Sequence, residues 1–159
     1  MRPIPVMLMA ALAVAGCNAQ AARDPAPVQA ASAAAPVSAP SSADLVGLDD
    51  SQWRFVELDG QPVPAGVNAT LRLRHGHASG KTGCNAYGAR YRIAADGSAE
   101  FTQTLSTKMA CLQPAGAMQV EQGVFNAFRH IAKVEIVNGE LVMLDAAGKS
   151  LAKLRRQTP

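Results

Sequence analysis

Charge is scarce in this chain of 159 residues: Asp, Glu, Lys and Arg make up 17% of it, aromatic residues 4%, and cysteine and histidine occur three times each. Each shortage excludes something. From Asp44 onward, 13 Lys and Arg face 11 Asp and Glu, a balance of +2 that is too small for a nucleic-acid-binding surface. The continuous apolar run near the start, Val6 to Val14, stops well short of the ~20 residues that a membrane span needs. No Ser-His-Asp order, paired inward carboxylates or cofactor fingerprint appears. There is no repeat at fixed period and no alternation of strand and helix patterns, which excludes a solenoid and a parallel α/β sheet.

What is present begins with an address. Arg2, the apolar stretch and Val14-Ala15-Gly16-Cys17 resemble a bacterial lipoprotein leader, in which the signal is cut before the cysteine and Cys17 is acylated. Residues 1–16 are then the signal peptide. Asn18 follows the cysteine, which by resemblance to enterobacterial sorting favours the outer membrane, facing the periplasm. Residues 17–43 are nearly all Ala, Pro, Ser, Val and Gln, with Pro25, Pro27, Pro36 and Pro40 too closely spaced for a helix to propagate. Too little apolar bulk remains to offset the ordering entropy, so this segment reads as a tether. Residues 44–159 suffice for one domain and no second.

Within the domain, seven short runs read as strands: 53–58, 69–74, 87–94, 99–103, 133–137, 140–144 and 150–155. Asp96-Gly97 and Asn138-Gly139 separate adjacent runs as type I′ hairpin turns would. Residues 114–130 differ: Met118, Glu121, Val124, Phe125, Phe128 and Ile131 recur at three and four, and Pro114 suits a first turn. The pattern predicts an α+β, mainly β domain, an antiparallel sheet packed on one helix. Arg72/Arg74, Arg90/Arg92 and Lys153/Arg155 recur at period two and read as solvated strand faces, with the Lys153 to Arg156 run alone offering a weak patch for anions.

Most chemistry-bearing candidates deflate. Gly76 to Thr82 looks like a phosphate-binding loop, but three residues separate Gly76 from Gly80 where that loop needs four, so it reads as a glycine-rich turn. His75 and His77 have same-face strand spacing and His130 sits at the helix end; without a supporting carboxylate or cysteine set, they read as solvated and not as zinc ligands. Cys84 and Cys111 form an even pair in an oxidising compartment and read as a disulfide. Closing that loop would stabilise the domain by ~3.5 kcal/mol. The competing reading is a catalytic thiol served by a histidine and Asn85, and a free-thiol assay separates the two.

Several segments together resemble the META/HslJ family of bacterial lipoproteins. Trp53 to Gly60 is similar to its opening strand and turn, and Gly80-Lys81-Thr82-Gly83-Cys84-Asn85-Ala86-Tyr87 to its G-x-x-GCN-x-Y signature. Ser106-Thr107-Lys108-Met109-Ala110-Cys111 matches its T-x-MAC, and Glu121 falls where its helix carries a glutamate. The resemblance covers Leu48 to Arg155 and implies a strongly curved antiparallel sheet, an incomplete barrel with the helix packed against it. Gly83 and Gly88 would allow a tight turn, Asn85 and Thr107 would bond backbone groups there, and the cysteines would staple two loops.

For function the resemblance implies envelope integrity, heat-shock response and tolerance of novobiocin, with no agreed reaction. The expectation is therefore a non-enzymatic interaction module without metal or cofactor, held to the membrane through Cys17 and serving an envelope protein partner. The alternative is pilot-like binding, or binding of a hydrophobic small ligand in the incomplete barrel. A cysteine-dependent enzyme is the third reading.

Overall fold

The computed structural model describes Leu45 and residues 47–158. The leader, Cys17 and the tether lie outside the described residues. Nine strands form one antiparallel sheet: β1 (Ser51–Leu58), β2 (Gln61–Pro62), β3 (Thr70–Arg74), β4 (His77–Lys81), β5 (Ala86–Ile93), β6 (Ala99–Ser106), β7 (Lys133–Val137), β8 (Glu140–Leu144) and β9 (Ser150–Arg156), with one helix, α1 (Ala117–His130), between β6 and β7. The strand order is β6-β5-β4-β3-β1-β9-β8-β7, with the short β2 paired to β1 alone. The expected curved mainly β fold is thus present.

Alternation drives the curl. In β1 and β3 alternate residues bury Trp53, Phe55, Leu71 and Leu73, and β9 adds Leu151 and Leu154 across a register shift against β8. Helix α1 lies in the concave side because its buried stripe, Ala117, Val120, Val124, Ala127 and Phe128, needs an apolar partner. Phe128 is the hub: its ring stacks on Phe101 at 4.5 Å and meets Tyr87 at 5.3 Å and Phe55 at 6.5 Å. Gly123 faces Leu58, where an added Cβ would come within 3.1 Å of the leucine side chain. The two ends of the strand path meet at one rim only, where Ser98 bridges Lys133 and the Ala99 amide donates to Ala132. Beyond that rim the barrel stays open.

Four local expectations need correction. The segment 77–81 is strand β4 and the turn is confined to His75 and Gly76, both at positive φ. Gly80 serves close approach, since a Cβ there would stand 2.0 Å from the Thr70 carbonyl oxygen. Gly88 lies within β5. Asn138-Gly139 has two positive φ values, as a I′ turn requires, whereas at Asp96-Gly97 only the glycine does. There the loop is one residue longer, and the Asp96 carboxylate accepts from the Ser98 amide and hydroxyl, holding its pKa below the usual range. Finally, α1 begins at Ala117 behind Gly116, so Pro114 precedes its first turn.

Candidate functional site

The segments 80–87 and 106–111 converge at one end of the sheet. Gly83 makes this meeting feasible: its φ is 101°, and a Cβ would stand 2.4 Å from Val67. The turn it creates sends Asn85 inward, where the side chain is buried. A buried amide needs all its hydrogen bonds, and Asn85 makes them. Its Nδ2 donates to Glu121 Oε2 at 2.8 Å and to the Met109 carbonyl at 3.1 Å. Its Oδ1 accepts from Thr107 Oγ1 at 2.7 Å and from the Met109 amide at 2.8 Å.

Glu121, carried in from α1, completes the cluster. Its Oε2 also accepts from the Thr82 hydroxyl at 2.7 Å, and Thr82 is fully buried. Thr82 was not singled out by sequence reasoning; its place two residues before Cys84, inside the glycine-rich motif, is the signal that would have found it. Cys84 and Cys111 are joined, with Cα atoms 5.8 Å apart. The disulfide ties the turn that holds Asn85 to the strand-to-helix connection. Tyr87, next along β5, donates from its hydroxyl to the Thr70 carbonyl at 2.8 Å and packs edge-on against Phe125, and burial pushes its pKa upward.

Chemically, this is a closed structural knot. Every side-chain polar atom of Asn85 is engaged, the sulfurs are bonded to each other, and the Thr82 hydroxyl that meets the Glu121 carboxylate is fully buried. Ala110 adjoins the disulfide without a polar group to offer. The remaining motif residues lie elsewhere: Trp53 is in β1 with its Nε1 donating to Ser51 Oγ at 2.7 Å, and Gly60 turns the chain between β1 and β2 at a φ of 78°.

The histidines do not gather. His75 is in the β3–β4 turn, 3.4 Å from Asp49, His77 opens β4, and His130 ends α1. Among the described residues no group of three or more His, Cys, Asp and Glu is placed to hold a metal ion. Two of the three cations of the Lys153–Arg156 run are paired internally, Lys153 with Glu57 at 2.9 Å and Arg155 with Glu140 at 3.2 Å, while Arg156 lies over the Trp53 ring at 5.3 Å. Of the expected weak anion-binding patch, Arg156 alone keeps a charge without a carboxylate partner among the described residues.

Open recesses lie along the helix. A groove of about 630 Å³ runs between the β1–β2 turn and α1, lined by Leu58, Pro62, Val63, Val120, Gly123 and Asn126 among others. Its floor is apolar and its rim polar. Among the described residues no helix is long and apolar enough to cross a membrane.

The domain as a whole relates this chain to known proteins. No curated protein is significantly similar to it. Among solved structures, a protein from Burkholderia xenovorans whose structure was determined by NMR is similar at a TM-score of 0.65 and 27% identity, over 84% of this chain and 100% of that one. The sequence matches the META domain over residues 46–158, a stretch holding the GCN turn, the MAC segment and Glu121, and the chain belongs to that family.

Proposed function

We propose that this chain is a lipid-anchored envelope protein whose META domain acts by contact, as a non-enzymatic module in stress tolerance. One observation carries most of that reading. The family's most characteristic residues, Asn85, Thr107, Glu121 and the two cysteines, are consumed by one another, which is the economy of a scaffold and not of a reaction centre. The lipoprotein-like leader supplies the envelope address. Asn18 after Cys17 supports an outer-membrane position.

The test begins with acylation. In cells, Cys17→Ser should block lipid attachment and release the protein from the membrane fraction. A wild-type chain recovered soluble with an unmodified N-terminus would remove the envelope reading. Crosslinking of the anchored protein should then capture a protein partner, and a turnover lost in Cys84→Ala without unfolding would overturn the non-enzymatic reading.

The groove between the β1–β2 turn and α1 favours a second reading, a hydrophobic ligand such as an acyl chain or an apolar antibiotic. Its volume and apolar floor suit such a molecule. Titration of fatty acids with residue-by-residue chemical shifts discriminates: movement at Val63, Val120 and Gly123 supports the groove, and silence there removes it.

A further inference from the structure

The arginine pairs that read separately along the sequence share one surface in the fold. Pairing aligns Arg72, Ser79 and Gly88 across β3, β4 and β5, and aligns Arg74, His77 and Arg90 in the next row. Lys81 lies two residues beyond Ser79 on β4, and Arg54 projects from β1 beside Thr70. All are on the outer face, opposite the buried residues Leu71, Leu73, Ala78 and Ala89. Ser79 and Gly88 form a low floor, and cations surround it.

Counter-charges sit only at the margin. Asp50 pairs with Arg74 at 3.5 Å and Glu100 with Arg92 at 3.2 Å, whereas Arg54, Arg72, Lys81 and Arg90 form no ion pair among the described residues. The small net charge of the chain thus conceals a basic face about 20 Å across.

On the β6 side, beyond Glu100 and Thr102, this face carries an exposed leucine. Leu105 is the register partner of Gly88, and Thr102 that of Arg90, so β6 carries one extra residue between them, at a bulge where Gln103 has a φ of 51°. Strict alternation from the buried Phe101 would turn Leu105 inward. The bulge turns it outward instead, 76% exposed, while Thr104 and Ser106 face the helix side with Phe125 and Phe128. Met109 and Leu112 follow on the connection leaving β6, 56% and 91% exposed.

We propose that this face docks on a membrane surface bearing anionic phosphate headgroups. Arg54, Arg72, Lys81 and Arg90 would lie against the phosphates and Leu105 at the headgroup boundary. Cations answer the charge of the surface, and an outward leucine beside them suits an interface with an apolar side better than it suits a nucleic acid. The proposal does not depend on the anchor at Cys17, because the face belongs to the folded domain itself.

The sheet, helix and disulfide lie within the described residues and close on one core, so a chain from Asn18 to Pro159 keeps the fold without leader or Cys17. This chain should sediment with vesicles of equal phosphatidylglycerol and phosphatidylcholine, release as salt rises, and ignore pure phosphatidylcholine. Arg72→Gln with Lys81→Gln and Arg90→Gln should weaken binding on the order of a hundredfold. The same charge loss at Arg129, Lys133 and Lys149 should leave most of it. Leu105→Ser should weaken vesicle binding several-fold while leaving any binding of soluble glycerol phosphate unchanged, which separates a membrane from a free phosphate. Equal losses in the two triple variants, indifference to vesicle charge, or tight binding of an oligonucleotide in place of vesicles would overturn the proposal.

Discussion

The two arms of the sheet that meet where β1 pairs with β9 are held by different means. The arm of β9, β8 and β7 is a meander of tight hairpins whose inward residues, Leu154, Leu141, Met143 and Val134, are almost completely buried. Its cohesion is apolar and local. The arm of β3 to β6 depends at its far end on Asn85, Thr82, Thr107 and Glu121, and on a disulfide spanning 27 residues. There the chain leaves the sheet, and a connection without its own core is fastened by hydrogen bonds and a covalent link. Packing suffices where strands are adjacent in sequence; polar fastening appears where distant segments must be brought together.

That contrast can be attacked first in the apolar arm. Leu154 faces Phe55 on one side and Leu141 on the other, fully buried, so Leu154→Ala leaves a cavity that neither strand can close and should cost about 4 kcal/mol. Denaturant unfolding measures it. A loss below about 1 kcal/mol would mean that the meander is not where the packing energy lies.

Asn85→Ala should follow closely, at about 3 kcal/mol, because it strands the Met109 backbone groups and removes a donor from the Glu121 carboxylate. The same measurement decides. Restoration by Asn85→Gln is not expected, since one more methylene would displace the amide from its bonds to Thr107, Met109 and Glu121 in a buried site.

Removing the staple with Cys84→Ala and Cys111→Ala should cost ~2 to 4 kcal/mol. Hydrogen exchange separates the arms: the Met109 amide should lose protection ahead of Leu141, because the connection opens locally once it is untied. Simultaneous loss at both positions would make the two arms a single cooperative unit and erase the contrast.

The same division explains what could be read from the sequence. The meander was legible because its strands are short apolar runs and the turn residues are specific; Asn138-Gly139 takes the two positive φ values that its chemistry favours. The family motifs were legible as a set, and the pairing of Cys84 with Cys111 could be expected from cysteine number. Strand β4 was not legible. His77 to Lys81 contains no large apolar residue, and Gly80, which reads as a turn signal, is there because the Thr70 carbonyl leaves no room for a side chain. The outward turn of Leu105 was hidden as well, since a bulge shifts parity without changing composition. Thr82 and Glu121 are 39 residues apart, and no local pattern joins them.

The smallest expected effect concerns a clasp at the opposite end of the polar arm, where Asp49 holds the β3–β4 turn. Its Oδ1 accepts from the Tyr91 hydroxyl at 2.8 Å and from the His75 amide at 2.6 Å, and these bonds, the tyrosine's first, keep its pKa below the ordinary 3.8. Tyr91 is pushed up to about 12, by burial first and by Asp49 second. The signs are opposite. Because the folded tyrosine titrates above its unfolded value of 10, its contribution is intact below pH 10 and disappears as pH rises through about 12. The aspartate titrates lower when folded, so its contribution is intact above pH 3.8 and is lost as pH falls through the depressed value. Tyr91→Phe should therefore weaken the fold slightly at neutral pH and flatten the alkaline decline between pH 10 and 12. Part of that decline should remain, because burial raises Tyr87 in the same direction. Urea unfolding of Tyr91→Phe and Tyr87→Phe across that range measures the two shares, and an alkaline limb unchanged in the Tyr91 variant would show that the clasp contributes nothing to holding the turn.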